Sequence, residues 1–372
     1  MSARTVIYGG GRIFDGETLH EQSAARFENG MLSAILPEGA AGVGVGDGDY
    51  VNLRGDILSA GFVDLQVNGG GGVMFGDAPS VETLERVAAA HRGLGVAKFL
   101  PTLTSDIPEK TRLAVSAVRE AVAAGVTGVG GLHLEGPHLS VEKRGAHGAE
   151  FIRPMTDADL ALLLSAAAEL PMLMVTVAPE GVSREQVGAL SAAGAVVSLG
   201  HTAADFATCM SYVEAGARCV THLFNAMSLL GSREPGLVGA ALCSGRLSAG
   251  LIGDGVHVHP EVVGAAWRAK RGPGGIFLVS DAMAVAGSDL TEFDFGGRTV
   301  KRGGGRLTLA DGTLAGADVD LGDSVRFLAE EVGVDLCEAL RAVTVVPAAF
   351  APDVLGGRLA RLDEVAVLKA PN

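Results

Sequence analysis

Two hydrophobic patterns follow one another along this chain. Up to about residue 58, short apolar runs such as 5–8, 25–27 and 32–36 alternate with Gly and Asp turns, which predicts a small β-domain. From Gly61 onward, short apolar runs alternate with amphipathic stretches of helical period. The sequence therefore predicts β-structure first and a series of βα units after it.

The second part contains eight apolar runs. They are 62–67, 97–103, 129–134, 172–178, 195–199, 219–223, 248–252 and 276–280. Helical patterns fit between most of them, at 81–91, 110–123, 157–169, 184–193, 205–214 and 260–270. Eight βα units favour a closed parallel barrel because closure leaves no unpaired edge strand, whereas a doubly wound sheet more often has five or six strands. The predicted fold class is α/β, with a (β/α)8 TIM barrel.

The rest of the chain returns to β-structure at its end. Residues 288–316 are Gly-rich and predict a β-hairpin excursion, and two helical patterns follow at 323–331 and 335–343. A final apolar run, 365–368, can rejoin the first strands. We therefore predict a small discontinuous β-sandwich domain made of residues 1–58 and 356–372, into which a catalytic barrel of residues 59–355 is inserted.

Composition and charge exclude several classes of protein. The 372 residues are 48% hydrophobic, enough for one large core, and the formal charge of -14 is unsuited to binding nucleic acid through its phosphates. No window approaches the ~18 apolar residues of a membrane span. The four cysteines lack CxxC spacing and are expected to be free thiols in a reducing cytoplasm. We expect a soluble, cytoplasmic protein that binds neither nucleic acid nor membrane.

Chemically useful side chains stand at the carboxyl ends of four runs. Glu135 ends the third run, His201 the fifth, His222 the sixth and Asp281 the eighth. Barrel enzymes place their chemistry at this face. One Glu and two His with an open position form the three-ligand set of a hydrolytic metal site. The repeated position makes this pattern more specific than any single member, since one His after a strand is usually structural.

These residue types also suggest a reaction. A divalent cation on Glu135, His201 and His222 would lower the pKa of a bound water toward ~7. Asp281 would take a proton from that water and return it to a leaving nitrogen, although an Asp here can also simply cap the next segment. We expect one cation per subunit, with zinc as the first candidate and iron(II) or another divalent ion as alternatives.

Six motifs carry a resemblance to a known family. They are 61–69 (GFVDLQVNG), 133–138 (HLEGPH), 198–202 (SLGHT), 221–227 (THLFNAM), 233–236 (REPG) and 280–284 (SDAMA). Together they resemble the N-acetylglucosamine-6-phosphate deacetylases of the amidohydrolase superfamily, over about residues 55–316. The resemblance implies removal of the acetyl group from N-acetyl-D-glucosamine 6-phosphate, which gives glucosamine 6-phosphate and acetate.

The resemblance also implies roles for individual residues. Glu135, His201 and His222 match the family's metal ligands, and Asp281 matches its acid/base. His147 matches an imidazole that contacts the substrate and polarises the acetyl carbonyl.

A second group of residues matches the family's binding site for the sugar phosphate. Asn225 and Ala226 match a segment that binds the phosphorylated sugar through its backbone. Arg233 and His257 match phosphate-binding residues, and the guanidinium fork suits two phosphate oxygens. In the family, Arg233 is expected to reach the neighbouring subunit of a homodimer.

Gln66 and Asn68 follow the first run, where many amidohydrolases have His-x-His and hold two metals. A neutral amide is a poor ligand for a transition-metal cation. We therefore expect one metal, and we expect these amides to hydrogen-bond a water or the substrate. The chain departs from the family pattern in residues 315–320, which are unusually acidic, and in the tail after residue 358.

Two alternatives remain open. The chain could be an amidohydrolase for another N-acyl amino sugar phosphate, an N-acyl amino acid or a cyclic amide, or it could be a metal-free barrel that acts as a scaffold. Metal content and acetate release would separate these classes. His20 and His91 lie outside the motifs, and we expect both at the surface.

Overall fold

The first strands of the chain form one sheet. The computed structural model describes residues 4–40 and 48–371. The sheet begins with β1 (Thr5–Phe14), β2 (Leu19–Glu28), β3 (Met31–Pro37), β4 (Gly48–Asn52) and β5 (Ile57–Ala60), and a 3-10 turn covers Glu38–Ala40. β1 to β3 are antiparallel, and β1 pairs in parallel with β4 along its first half and with β5 along its second half. Inward side chains of this sheet form a core of their own around Phe27.

The centre of the molecule is a parallel eight-stranded barrel. Its strands are β6 (Phe62–Val67), β9 (Val96–Thr104), β10 (Leu132–Glu135), β11 (Leu173–Val177), β12 (Val196–Leu199), β13 (Cys219–Val220), β14 (Ser248–Ile252) and β15 (Ile276–Val279). A short hairpin of β7 (Gly69–Gly70) and β8 (Val73–Met74) follows β6 and lies outside the barrel. Each barrel strand pairs with the next one in the chain. β15 lies beside β6, and the N–H groups of Asn68 and Gly69 donate to the carbonyl of Ala282 at this seam.

Seven helices follow the strands and cover the barrel. They are α1 (Val81–Gly93), α2 (Pro108–Ala123), α3 (Asp157–Glu169), α4 (Arg184–Ala192), α5 (Phe206–Ala215), α6 (Gly236–Cys243) and α7 (Pro260–Ala269). Their starts are encoded locally: Ser80, Thr156, Ser183 and Asp205 accept hydrogen bonds from N–H groups of the first turn. α6 lies between the sixth and seventh apolar runs, where no helical pattern was predicted. Within the described ranges, no helix has the length and apolar character that a membrane span requires.

The excursion after the barrel is larger than the predicted hairpin. It is a four-stranded antiparallel sheet of β16 (Glu292–Phe295), β17 (Arg298–Gly303), β18 (Arg306–Thr308) and β19 (Leu314–Ala317). The unusual acidic residues beyond it have structural partners. Asp318 lies 2.9 Å from the Arg302 guanidinium, and Asp320 caps the helix that follows.

The end of the chain returns to the first sheet. It contains α8 (Leu321–Phe327), a π-helical turn at Leu328–Val332, α9 (Leu336–Arg341), α10 (Val345–Ala348), α11 (Pro352–Leu355), a 3-10 turn at Leu362–Glu364 and β20 (Val365–Leu368). β20 pairs antiparallel with β5, which completes the six-stranded sheet.

These observations confirm the α/β class, the eight-stranded barrel and the β-structure shared by both ends of the chain. The domain boundaries after residues 58 and 355 stay a prediction. The expectation for His91 was wrong: the side chain is buried against Phe99, and its Nε2 lies 3.0 Å from the Gly69 carbonyl. Periodicity placed His91 on α1 but could not show that this face packs on the barrel.

The capping box of α3 gives a stability prediction. Thr156 accepts the Asp159 N–H while Asp159 accepts the Thr156 N–H. We expect Thr156→Ala to lower the free energy of unfolding by about 1 kcal/mol, because it leaves first-turn N–H groups unpaired. Chemical denaturation measures this loss. Ser165→Ala, on the exposed face of the same helix, is the control, and an equal loss in both variants would contradict a specific capping effect.

Candidate active site

Glu135 is the centre of a buried polar cluster at the carboxyl ends of the barrel strands. Its Oε1 lies 3.2 Å from His201 Nε2 and 3.0 Å from His222 Nε2, and the two imidazole nitrogens are 3.0 Å apart. All three side chains are at most 6% exposed. The strands therefore bring the three predicted metal ligands together, with three ligand atoms close enough to share one cation.

The hydrogen bonds of two histidines fix which ring nitrogen carries the proton. His201 Nδ1 lies 2.8 Å from the Lys143 carbonyl, so it is the donor, and Nε2 keeps its lone pair toward Glu135. His147 Nδ1 accepts the backbone N–H of Ser105 at 3.2 Å, so in the neutral ring Nε2 carries the proton. That Nε2 lies 3.7 Å from Glu135 Oε2. His147 thus presents an N–H to the site, and His201 presents a lone pair.

Glu135, His147 and His201 form another possible metal-holding group, since one ligand atom from each lies within 4.8 Å of the others. The proton on His147 Nε2 argues against this set, because a nitrogen that donates a proton cannot donate a lone pair to a metal. His222 Nδ1 has no hydrogen-bond partner among the described residues, so no contact fixes a proton on Nε2, and this Nε2 lies closer to Glu135 Oε1 than His147 Nε2 does to Oε2. We therefore favour His222 over His147 as the third ligand.

The electrostatics of this cluster favour a positive charge at its centre. Burial alone raises the pKa of Glu135, but its interactions with the three neighbouring imidazoles outweigh burial and hold the pKa well below its usual value. Burial, followed by the neighbouring His147, lowers the pKa of His201 to about 4, which keeps this ring neutral. Burial also lowers the pKa of His222, but the hydrogen bond to Glu135 outweighs it and the net shift is upward. Glu135 therefore attracts a cation to the point where the ring nitrogens meet.

Strained backbone marks the same residues. Among the described residues, eight non-glycine positions have a positive φ, and five of them are His201 (48°), His222 (28°), Phe224 (78°), Ala226 (50°) and Asp281 (46°). Such conformations cost of order 1–3 kcal/mol each for an L-residue and persist only where the surrounding structure holds them. The fold therefore keeps several predicted site residues in conformations that a free chain would avoid.

Two amides connect the Glu135 cluster with Asp281. Gln66 Nε2 donates to Glu135 Oε1 and to Asp281 Oδ1, both at 3.1 Å, and Asn68 Nδ2 donates to Asp281 Oδ1 at 2.7 Å. Burial and the charge of Glu135 raise the pKa of Asp281, while the Asn68 hydrogen bond opposes the shift. Asp281 can therefore hold a proton more readily than an exposed aspartate.

One cavity collects most of the residues that the sequence singled out. It is open to solvent and has a volume of about 260 Å³. Nine predicted residues line it: Asn68, Glu135, His147, His201, His222, Asn225, Ala226, His257 and Asp281. Gln66 does not line it. Its side chain is only 2% exposed, and its N–H groups are bound to the two carboxylates, so direct contact with the substrate is not supported.

The cavity wall also includes the segment of Asn225 and Ala226. His222, Phe224 and Ala226 have positive φ at every second position, and the N–H groups of Leu223 and Asn225 donate to the carbonyls of Gly250 and His222. His257 lines the same cavity, and its Nδ1 is held by Asp254 Oδ2 at 2.6 Å. Because Nδ1 is occupied, Nε2 is the ring nitrogen left for a ligand.

Arg233 lies outside the cavity of its own chain. It is exposed, in a segment that also exposes Leu229 (61%) and Leu230 (58%). Exposed leucines beside a free guanidinium are unusual for a surface that faces only water.

The sequence did not identify several residues of the cavity wall. Phe295, Thr313 and Leu314 come from the excursion β16–β19, whose Arg298 also donates to the carbonyl of Ala146 beside His147. Their position was unpredictable because it depends on how this sheet folds back over the barrel. Thr104 could have been found, since it ends the second barrel strand as Glu135 ends the third.

Comparison with known proteins identifies the family. No protein-family model matches the chain. The N-acetylgalactosamine-6-phosphate deacetylase of Shewanella sp. (strain ANA-3) is 43% identical over 352 residues, which are 93% of this chain and 86% of the relative. The N-acetylglucosamine-6-phosphate deacetylase of Haemophilus influenzae is 36% identical over 330 residues, 86% of this chain and 82% of the relative. The crystal structure of N-acetylglucosamine-6-phosphate deacetylase from Pasteurella multocida aligns with a TM-score of 0.88 and 33% identity, covering 96% of this chain and 92% of that one.

These similarities extend over both the barrel and the sheet, so they concern the whole architecture and not a shared motif. They confirm the resemblance that the six sequence motifs carry. The chain belongs to the N-acetylglucosamine-6-phosphate deacetylase family of the amidohydrolase superfamily.

Proposed function

We propose that this protein hydrolyses N-acetyl-D-glucosamine 6-phosphate to glucosamine 6-phosphate and acetate. The observation that carries the proposal is a single cavity that brings two groups of residues together. Glu135, His201, His222 and Asp281 line it, and so do Asn225, Ala226 and His257. The names of the similar proteins support the same reaction.

One divalent cation per chain fits the donor set. The Nε2 atoms of His201 and His222 and Oε1 of Glu135 lie within 3.2 Å of one another, a contact between electron pairs that needs a proton or a cation at its centre. When bound, a divalent cation supplies a water of lowered pKa. We propose zinc first, because two imidazoles and a carboxylate are a common ligand set of hydrolytic zinc.

Asp281 is proposed to move the proton. Gln66 and Asn68 occupy its Oδ1, so Oδ2 is the oxygen left to act. Oδ2 takes a proton from the attacking water as the water oxygen bonds to the acyl carbon. It then gives this proton to the nitrogen as the C–N bond breaks, which releases a free amine and acetate. His147 donates its Nε2–H to the acyl oxygen, where negative charge develops.

The phosphate is proposed to bind in the same cavity beside Asn225, Ala226 and His257. The Asn225 N–H already donates to the His222 carbonyl at 2.9 Å, so the Ala226 N–H and His257 Nε2 are the proposed contacts from one subunit. A homodimer would add Arg233 of the partner subunit, and the exposed Leu229 and Leu230 support burial of this segment. A cytoplasmic location is supported by the four cysteines, all of which are free thiols.

N-acetylgalactosamine 6-phosphate is a second candidate substrate. The observation that favours it is the 43% identity to the Shewanella enzyme, which carries the name of that activity. The two sugars differ only in the configuration at C4, which is remote from the acetamide. The proposed hydrolysis is therefore the same for both.

The first prediction concerns the substrate. We expect acetate release from N-acetylglucosamine 6-phosphate with a kcat/KM about tenfold or more above that for the galactosamine epimer. For unphosphorylated N-acetylglucosamine we expect a far lower kcat/KM, because the phosphate contacts are lost. A coupled acetate assay on the purified protein measures all three. A higher value for the galactosamine epimer would assign the second candidate, and no release from any of them would contradict the deacetylase proposal.

The second prediction concerns Asp281. We expect Asp281→Asn to lower kcat by about 10²- to 10⁴-fold, because the amide cannot shuttle a proton. Metal analysis is expected to give about one equivalent per chain in both the variant and the wild type. Asp254→Asn, which changes the carboxylate behind His257, is the comparison and should chiefly raise KM. Near-normal kcat in Asp281→Asn would remove Asp281 from the mechanism, and two equivalents of metal would exclude the single-cation site.

The third prediction tests whether Arg233 acts across a dimer. Alone, Arg233→Ala should lose about ten- to hundredfold in kcat/KM for the phosphorylated sugar, as expected for a charge-assisted hydrogen bond. Arg246→Ala, also exposed, should lose little. Chains with Asp281→Asn and chains with Arg233→Ala are then co-expressed and assayed at low substrate concentration, where both separate variants are strongly impaired. We expect activity to return, because a mixed dimer has one site with both residues intact. Activity that stays at the level of the separate variants would show that Arg233 does not act in the partner's site.

A further inference from the structure

The seam between β15 and β6 differs from the other strand junctions of the barrel. Val63 N–H, near the start of β6, donates to the Val343 carbonyl at 2.8 Å, and Leu278 N–H, within β15, donates to the Ala342 carbonyl at 2.9 Å. The acceptors are thus residues beyond α9 and not the neighbouring strand. At the carboxyl ends, the N–H groups of Asn68 and Gly69 donate to the Ala282 carbonyl. Between these two levels, no backbone hydrogen bond joins β6 to β15 in the part of the chain that the structure describes.

Asp64 bridges this gap with its side chain. The residue is 0% exposed, and its Oδ1 accepts the N–H of Gln66 at 3.2 Å and the N–H of Ser280 at 3.3 Å. One carboxylate oxygen therefore links the backbone at the end of each strand. The other oxygen, Oδ2, is buried and has no hydrogen-bond partner among the described residues.

The two residues that Asp64 holds are closely tied to the reacting groups. Gln66 carries the amide that binds both Glu135 and Asp281. Ser280 directly precedes Asp281, whose φ of 46° leaves its orientation dependent on the preceding peptide. A small shift at either N–H would therefore separate Gln66 Nε2 from Asp281 Oδ1, which are now 3.1 Å apart.

We propose that Asp64 is a positioning residue for the deacetylation, whose carboxyl holds the ends of the first and eighth strands so that Gln66 and Asp281 keep their contact. Asp64 does not line the cavity and cannot touch the substrate. This role rests on the proposed function, because it acts through Asp281. No sequence pattern indicates this positioning role, because Asp64 is only one residue of the first motif.

The chemistry of the site predicts which replacement can substitute for Asp64. Its contacts require an acceptor at Oδ1, and they do not require a negative charge. Burial raises the pKa of Asp64 to about 7, which agrees with a carboxyl that can be protonated on its unpartnered Oδ2. An asparagine keeps the acceptor and the shape, whereas an alanine leaves both N–H groups unpaired in the interior.

The test compares Asp64→Asn, Asp64→Ala and a control for general destabilisation. The control is Thr344→Val, a fully buried residue beyond α9 whose Oγ1 donates to the Leu340 carbonyl and which does not line the cavity. We expect Asp64→Asn to stay within about threefold of the wild-type kcat. We expect Asp64→Ala to lower kcat by about 10²-fold, because misplacing a reacting group by about 1 Å can cause such a loss. Its KM should stay within a few-fold of the wild-type value, and the metal should be retained. Thr344→Val should lower Tm without a comparable loss of kcat.

Several results would overturn the proposal. These are an unchanged kcat in Asp64→Ala, an Asp64→Asn variant as impaired as Asp64→Ala, or an equal loss of kcat in Thr344→Val. A crystal structure of Asp64→Ala in which Gln66 Nε2 and Asp281 Oδ1 remain in hydrogen-bond contact would also overturn it, independently of any activity. Wild-type protein without acetate release from acetylated amino sugar phosphates would instead contradict the proposed function, and the structural comparison would still decide the role of Asp64.

Discussion

Three carboxyl groups lie toward the carboxyl ends of the barrel strands, with Asp64 and Glu135 buried and Asp281 partly buried, and the surrounding structure depends on compensating their charges. An unpaired buried carboxylate is strongly unfavourable, so each one needs donors, a cation or a proton. Imidazoles and an amide surround the Glu135 carboxylate, two side-chain amides donate to Asp281, and two backbone N–H groups donate to Asp64. The groups that compensate the charge differ among the three carboxyl groups, and their proposed roles differ accordingly.

The side-chain amides at the end of the first strand have a consequence for metal content. One Gln66 NH2 group donates to two carboxylates that would otherwise repel each other, which is a task that a second cation could perform. Because the Gln66 amide contacts Glu135 and Asp281 through its N–H groups, it acts there as a hydrogen-bond donor and not as a metal ligand. The proposal of a single cation therefore has a structural basis in hydrogen bonding, beyond the weakness of amides as metal ligands. The same contacts leave one oxygen of Asp281 free for proton transfer.

Separate parts of the chain build the cavity. The ends of the barrel strands supply Glu135 and Asp281, the segment after β13 supplies Asn225 and Ala226, and the excursion β16–β19 supplies Phe295 and Leu314. Arg298 of the same excursion also holds the loop that carries His147. The excursion is thus part of the site. The exposed segment with Leu229 and Arg233 is the one predicted element that a single chain leaves unexplained.

The sequence by itself determined the alternation of strands and helices, the barrel and the residues at its carboxyl face, because these depend on local periodicity and on the shared direction of parallel strands. This is why four site residues could be identified at the carboxyl ends of their apolar runs: Glu135, His201, His222 and Asp281. Only the tertiary structure decided which ring nitrogen of His147 and His201 carries a proton, that Gln66 lies beneath the cavity, that Asp64 closes the seam and that Phe295 forms part of the wall. Those features depend on contacts between residues far apart in the chain, some more than 200 positions from each other, such as Asp64 and Ser280. No local pattern of residues encodes such distances.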